Sequence, residues 1–189
     1  MAYHGTRAAG VSTNPISIAV PGGARGPVVL DMATGVVARG KLVQARKTNQ
    51  TIPAGWALDR DGNPTTDARA ALTGSMLALG GTKGAMLALI VELLACALTG
   101  AAFGFEADTF FVDDGNQPNL GQAFLTIDPD ALAGRDVYRA RIETLISEMM
   151  KDPGVRLPGS RRRELAARHQ VTGITVPEAL AAELERLAR

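Results

Sequence analysis

The residues best suited to chemistry lie in a glycine-rich turn, Gly80-Gly81-Thr82-Lys83-Gly84, which precedes an apolar run over residues 85–98. Glycine lacks a Cβ, so backbone N–H groups in such a turn approach a ligand closely, and the first turn of a helix leaves those donors without intrahelical acceptors. Because Lys83 adds a positive charge, a phosphate or carboxylate site is physically reasonable. Taken alone, however, the pattern favours a tight turn into a core helix with a solvated lysine. It is not a Walker P-loop, since Gly84 follows the lysine.

Other polar residues give weaker signals. Asp31 ends an apolar stretch at residues 28–30, and a carboxylate there is either a helix cap, the default, or a ligand contact. Asp113 and Asp114 are interpreted as a polar loop, because neither a histidine nor a third carboxylate lies nearby. The arginines at 161–163 are interpreted as the solvated start of a helix. These residues identify no catalytic group and predict no metal site.

The composition restricts the class of protein. With 189 residues, of which 46% are hydrophobic and 21% charged, the chain has material for one globular core. A net charge of +1 and an aromatic content of 4% argue against a nucleic-acid or membrane partner. The lone Cys96 excludes a disulfide scaffold, and residues 1–10 contain no apolar run typical of a signal peptide. The expected location is therefore cytoplasmic.

The hydrophobic pattern predicts both strands and helices. Alternation predicts a strand over residues 16–20, and the apolar run at 28–30 predicts a strand buried on both faces. The helix that begins near Lys83 is apolar almost all round, so an internal position is expected. The remaining predicted elements are a helix over 34–48, a loop over 51–67, strands over 109–112 and 122–127, a helix over 137–151 and a last helix beginning at Pro177.

Several segments, taken in order, resemble the type 2 malate/lactate dehydrogenase family, which includes ureidoglycolate, sulfolactate and diketogulonate enzymes and imine reductases that use NAD(P). Their order and spacing carry the resemblance, since no single segment is diagnostic. The matching segments are residues 13–16, 29–34, 38–41, 52–59, 80–84, 92–94, 124–129 and 157–159. The resemblance implies NAD or NADP as cofactor, a small 2-hydroxy or 2-keto acid as substrate, and a homodimer.

The resemblance also implies a fold and a set of cofactor contacts. The expected class is α+β, with packed helices and a mixed sheet that is not a Rossmann fold. The expected organisation is a loose N-terminus over 1–12, an NAD(P)-binding domain over 13–135 and a C-terminal helical segment over 136–189. The residues matching the family's cofactor contacts are Leu30, Asp31, Met32, Ala33, Thr34, Thr82, Lys83, Pro158, Gly159 and Ser160.

The chain also departs from the family pattern. Family members usually carry glutamate at the position of Ser160, and their helical N-terminal part contains a Ser-His-Gly motif whose histidine donates the proton. Only His4 precedes residue 13, and it lies outside that motif. The sequence thus resembles the C-terminal, cofactor-binding portion of a dehydrogenase, possessing no identified catalytic residue; the alternative is a non-catalytic nucleotide-binding or oligomerisation protein. Arg39 and Arg46 leave the choice between NAD and NADP open.

Overall fold

The structure is a computed structural model that describes residues 1–3, 5–108 and 115–188. It comprises two compact units, one formed by Met1–Ile18 and Asp31–Asp128 and the other by Ala19–Leu30 and Pro129–Arg189. Two strands, β1 (Ile16–Val20) and β2 (Val28–Met32), form a small sheet. Two of the divisions between the units fall within these strands. Both strands are predicted, but burial of β2 on both faces is wrong, because Leu30 and Met32 are exposed. The predicted domain limits stay a prediction.

The first unit is built around a three-stranded sheet and two helices. β3 lies between β4 and β5 and runs antiparallel to both, with Ala57 opposite Thr65 and Met76. Both pairings of this sheet are antiparallel, and the mixed sheet that the family resemblance implies stays a prediction. The elements are α1 (Arg39–Lys47), β3 (Ala57–Leu58), β4 (Pro64–Thr65), α2 (Ala68–Thr73) and β5 (Ser75–Met76).

The core of this unit gathers apolar side chains from these elements and from the beginning of the chain. Leu42 of α1 is completely buried in it, beside Ile52 and Met76. Composition predicts a loose start over residues 1–12, but Met1 and Val11 belong to the same core. The α+β class is confirmed, since small sheets and helices share one apolar interior.

Residues 34–38 differ from prediction, because they form a non-helical segment rather than the beginning of a helix. Gly35 forms an antiparallel bridge with Ala78, and the Val36 N–H donates to the Leu77 carbonyl over 2.9 Å. Thr34 is fully buried, and its N–H and hydroxyl donate to one carbonyl, that of residue 13, over 2.8 and 2.9 Å. These long-range bonds delay α1 until Arg39.

The helix α3 (Thr82–Glu92) begins at the glycine turn, as predicted, and continues as a π-helical stretch, Leu93–Ala97. It buries small residues, Gly84, Ala85 and Ala88, together with Glu92. Of its large apolar side chains, Met86 and Ile90 are exposed, whereas those at positions 87, 89 and 91 are half-buried. The expectation of an internal helix packed on several sides is therefore wrong for one face. Small residues allow close packing on the buried side, and the opposite face has no cover among the described residues.

Residues 122–127 form no strand, although their composition predicts one. All six are exposed, and no backbone hydrogen bond joins them to other residues in the described ranges. A strand requires a partner, because isolated extended backbone gains no ladder hydrogen bonds. The predicted neighbouring strand over 109–112 lies outside the described residues, as do His4, Asp113 and Asp114.

The described part of the second unit contains three α-helices, α4 (Arg135–Met149), α5 (Ser160–Thr172) and α6 (Glu178–Leu187). The helices predicted over 137–151 and after Pro177 are confirmed. Arg163 is not merely solvated, because its guanidinium donates to the carbonyls of Pro27 and Arg25 over 2.6 and 3.2 Å. Arg25 in turn forms an ion pair with Glu143 of α4. Within the described ranges, no helix is sufficiently long and apolar to cross a bilayer.

Candidate functional site

The pairing around Gly35 brings two predicted site segments of the first unit together. Because Gly35 lies opposite Ala78 in an antiparallel bridge, the chain beyond Ala78 runs in the direction of the residues that precede Gly35. The Leu79 N–H donates to the Thr34 carbonyl over 2.9 Å, which fixes this register up to the glycine turn. Residues 31–34 and the turn at 80–83 therefore lie at the same end of one backbone pairing.

The glycine turn combines an open side with a closely packed side. Gly80 and Gly81 have φ values of +58° and +65°, which favour glycine, and a Cβ on either would meet no atom within 4 Å. A Cβ on Gly84, in contrast, would lie 2.0 Å from the Leu79 carbonyl oxygen. The turn thus presents accessible backbone while holding the start of α3 tightly against the chain that precedes it.

The start of α3 is electropositive. No side chain caps this end, and the first turn contains no acidic residue. The exposed Lys83 adds its charge to the partial positive charge of the helix terminus. N–H groups in the first turn have no intrahelical acceptor, so an anion is the complementary ligand. The side chain of Thr82, also a predicted contact, is exposed beside them.

The strand-end residues occupy different environments. Leu30, Asp31 and Met32 are exposed on β2, and Ala33 is half-buried. The interpretation of Asp31 as a helix cap is wrong, because Asp31 lies within the strand and α1 begins only at Arg39. Buried Thr34 uses its N–H, carbonyl and hydroxyl inside the unit, so its role there is structural. The Asp31 carboxylate is exposed on the strand, and a carboxylate is a hydrogen-bond acceptor for a hydroxyl or an amide.

In the second unit, the Pro158-Gly159-Ser160 segment forms the start of α5. The Pro158 carbonyl accepts from the Val29 N–H over 3.3 Å, and Gly159 adopts a left-handed conformation with φ +86°. The Ser160 Oγ is buried without a hydrogen-bond partner among the described residues. A buried hydroxyl normally has a hydrogen-bond partner, so a buried hydroxyl without one is suited to a hydrogen bond with a polar atom of a ligand. Ser160 therefore suits a cofactor contact even though it replaces the family's usual glutamate.

One polar network, which centres on Glu92, is not predicted from the sequence. This side chain is only 3% exposed, and its Oε1 accepts from the Asn14 Nδ2 over 3.0 Å and from the Ser12 N–H over 3.3 Å. Its Oε2 accepts from the Gly104 N–H over 3.2 Å. The sole charge in the apolar run over 85–98 was the available signal. The network fastens α3 to two distant loops of the first unit.

Glu92 also influences Cys96, one helical turn further along. Burial raises the pKa of the Cys96 thiol, and the negative charge of Glu92 and a hydrogen bond to it raise that pKa further. A thiol with a raised pKa stays protonated near neutral pH and is a poor nucleophile. Cys96 is therefore a poor candidate for a catalytic nucleophile.

A cavity of about 310 Å³ lies elsewhere in the first unit. It contains none of the predicted cofactor contacts, although Arg46 is one of its side chains. Its lining is Ala45, Arg46, Asn49, Gln50, Thr51, Thr66, Asp67, Ala68 and Arg69. The candidate site at α3 is instead an open surface. Its suitability for a ligand depends on positive charge and backbone geometry, because it is not an enclosed cavity.

The fold and site describe an α+β protein with an uncapped, electropositive helix start beside a strand end. The sequence pattern of the malate/L-lactate dehydrogenase family matches residues 1–185, and the chain belongs to that family. The resemblance inferred from the ordered segments is thereby confirmed.

Individual relatives agree with this assignment. The chain is 46% identical over 176 residues to the (2R)-3-sulfolactate dehydrogenase (NADP(+)) of Chromohalobacter salexigens, a match covering 93% of the chain and 52% of the relative. It is 39% identical to the Δ(1)-pyrroline-2-carboxylate reductase of Ancylobacter novellus, covering 94% of the chain and 52% of that protein. The crystal structure of Δ1-piperideine-2-carboxylate reductase from Pseudomonas syringae pv. tomato matches 97% of the chain and 55% of its own, with TM-score 0.86 and 41% identity. The chain thus spans about half the length of the relatives it matches.

Proposed function

We propose that this chain provides the cofactor-binding portion of an NAD(P)-dependent oxidoreductase acting on small 2-hydroxy or 2-keto acids, or on related cyclic imino acids. The observation that carries the proposal is the uncapped start of α3, where Lys83 and an open glycine turn lie at the same end of a backbone pairing as residues 31–34. Names of relatives support it, since they include an NADP(+)-dependent sulfolactate dehydrogenase and a pyrroline-2-carboxylate reductase.

The residues present fit a nicotinamide dinucleotide. A bound cofactor would supply the hydride. The Lys83 ammonium and first-turn N–H groups of α3 would hold a phosphate, and the exposed Asp31 carboxylate would accept from a hydroxyl or an amide. The orphaned Ser160 hydroxyl would gain a partner in its own unit. Binding of this kind does not require a Rossmann fold, whose Gly-x-Gly-x-x-Gly after a strand the sequence lacks.

Reduction of a carbonyl also requires a proton donor near the substrate oxygen. We assign that role to polypeptide beyond the half of the relatives that this chain matches, where the family's Ser-His-Gly motif and helical part are expected. NADP is favoured over NAD by the name of the Chromohalobacter relative. A cytoplasmic location and a homodimer complete the proposal, supported by the lone cysteine and by exposed apolar side chains.

A fluorescence titration with NADH and NADPH tests this function. The unmodified chain should show saturable binding of at least one reduced cofactor. Lys83→Met should weaken that binding by about 10- to 100-fold, because a hydrogen bond to a charged group contributes about 1.5–3 kcal/mol. Lys47→Met provides the matched control, since Lys47 is also an exposed lysine and lies in the last turn of α1. The proposal would be refuted if neither NADH nor NADPH bound, or if Lys83→Met and Lys47→Met weakened binding equally.

A further inference from the structure

Asn14 adopts an uncommon backbone conformation in the interior of the first unit. Its φ of +31° lies in the left-handed region that favours glycine. Asn49 and Asn119 also have positive φ values, but both are exposed, whereas Asn14 is only 7% exposed. A conformation of this kind persists where surrounding contacts fix it, and such residues are frequent beside ligand sites.

The side chain of Asn14 is bonded to α3 at two points. Its Nδ2 donates to the Ala88 carbonyl over 2.8 Å and to Glu92 Oε1 over 3.0 Å. Both partners are acceptors, so only the amide nitrogen can face them, and the orientation of the amide is determined chemically. Ala88 is completely buried and Glu92 is 3% exposed, so water does not compete for these bonds. Asn14 is thereby fixed to the middle and the end of α3.

The residue before Asn14 carries this attachment to the predicted cofactor segment. The Thr13 carbonyl oxygen accepts from both the N–H and the hydroxyl of Thr34, over 2.8 and 2.9 Å. The Thr34 carbonyl accepts from the Leu79 N–H over 2.9 Å, and Leu79 directly precedes the glycine turn. The position of residues 31–34 relative to that turn therefore depends on the position of the Thr13 carbonyl.

These bonds close a circuit through α3. The Leu79 carbonyl lies against the first turn of the helix, since a Cβ on Gly84 would be 2.0 Å from its oxygen. From there α3 leads back to the residues that hold Asn14. Glu92 is nine residues beyond Lys83, a rise of roughly 13 Å along the helix axis. The bond between Asn14 and Glu92 therefore acts on the Lys83 site at a distance rather than by contact with a ligand there.

We propose that Asn14 is a positioning residue for the cofactor site, which holds residues 31–34 in register with the glycine turn through the Thr13 carbonyl. This role rests on the proposed function, because it requires a nucleotide that contacts both segments. A ligand held at two points loses affinity when one point moves by a fraction of an ångström, so the supporting bonds influence binding although they do not touch the ligand.

Asn14→Gly tests this role, because glycine adopts a φ of +31° freely and removes both side-chain bonds. Ile52→Ala is the matched control, since Ile52 is 3% exposed in the core of the same unit and its truncation lowers stability through a cavity. The Kd for NADPH is measured by fluorescence titration at a temperature at which circular dichroism shows both variants folded. Asn14→Gly should raise that Kd by about 10-fold, whereas Ile52→Ala should leave it unchanged.

Amide hydrogen exchange without nucleotide gives a second readout, which does not depend on cofactor binding. Asn14→Gly should speed exchange of the Thr34 and Leu79 amides by about 10-fold relative to the amide of Ala71, which is buried in α2. Ile52→Ala should not raise this ratio, because its effect is a general loss of stability. A purely structural role of Asn14 would likewise lower stability without weakening NADPH binding by the folded protein.

Several results would overturn the role of Asn14. They are unchanged NADPH binding by Asn14→Gly, an unchanged exchange ratio, and equal weakening of binding by Ile52→Ala. If Asn14→Gly does not fold, exchange is measured on the unmodified chain in low urea. The Thr34 and Leu79 amides and the Asn14 side-chain amide should then open together, and separate openings would overturn the role.

Failure of the proposed function gives a different result. If the unmodified chain bound neither NADH nor NADPH, the proposed function and the role of Asn14 in binding would both be refuted. The exchange ratio would still show whether Asn14 holds residues 31–34. If the unmodified chain bound NADPH and Asn14→Gly bound it equally well, only the role of Asn14 would be refuted.

Discussion

Glu92 provides a stringent test of how the first unit is held together. Its carboxylate accepts from the Ser12 N–H, the Asn14 side chain and the Gly104 N–H. Replacement by alanine leaves these buried or partly buried donors without their acceptor, and each unsatisfied donor costs about 1–3 kcal/mol. Water reaches the partly buried N–H groups of Ser12 and Gly104 and reduces the sum. We therefore expect Glu92→Ala to lower the free energy of unfolding by about 3–5 kcal/mol, a large fraction of an ordinary domain's stability.

The isosteric variant Glu92→Gln keeps the shape of the side chain but removes its negative charge and one of its two acceptor oxygens. Its amide retains one acceptor oxygen and turns the other into a donor that faces an N–H group, so a loss of about 1–3 kcal/mol is expected. Urea unfolding followed by fluorescence of Trp56, the single tryptophan, measures both variants because this side chain packs against the core. Glu148→Gln, which removes a surface ion pair with Lys151, should change stability by at most about 0.5 kcal/mol. A Glu92→Gln midpoint equal to that of the unmodified chain would refute the reasoning.

Further predictions concern the thiol, the glycines and the second unit. Because burial, and then Glu92, raise the pKa of Cys96, its alkylation by iodoacetamide should become rapid only at a higher pH than for a free cysteine, and Glu92→Gln should shift that rate profile to lower pH. A profile matching free cysteine would contradict this. Gly84→Ala, which forces a Cβ against a backbone carbonyl, should cost about 1–3 kcal/mol in thermal unfolding. The Cβ of Gly80→Ala would meet open space, so the variant has only the positive φ to accommodate and should lose about 1 kcal/mol of stability. A larger loss for Gly80→Ala than for Gly84→Ala would be inconsistent with the turn geometry. Ser160→Ala removes an unpartnered buried hydroxyl and should leave thermal stability unchanged or slightly raised while weakening NADPH binding; a loss of stability with unchanged binding would assign Ser160 a purely structural role.

Local sequence signals predicted much of this structure. Apolar spacing identifies α4 and α6, and the glycine turn before an apolar run identifies the start of α3. These features depend on residues close in the sequence, because helix geometry and positive φ angles are local properties. The ordered family segments identified the class of protein for a different reason, since their spacing reflects common ancestry rather than local physics.

The predictions that failed depend on distant partners. Residues 34–36 lie within the predicted helix but pair with residues 77–79, which lie more than forty positions further along the chain. The partners of Glu92 come from both sides of α3 in sequence, and no periodicity connects them. For residues 122–127, strand composition is present while a partner strand is not among the described residues. In each case the local preference is overridden or left unfulfilled by long-range contacts.

The proposed function requires that the start of α3 binds the phosphates of a redox dinucleotide. A crystal structure of the chain with NADPH tests this directly. Diphosphate density is expected within hydrogen-bond distance of the Lys83 ammonium and of the first-turn N–H groups of α3. Density placed instead in the cavity beside Arg46 and Arg69, or bound nucleotide far from Lys83, would contradict it.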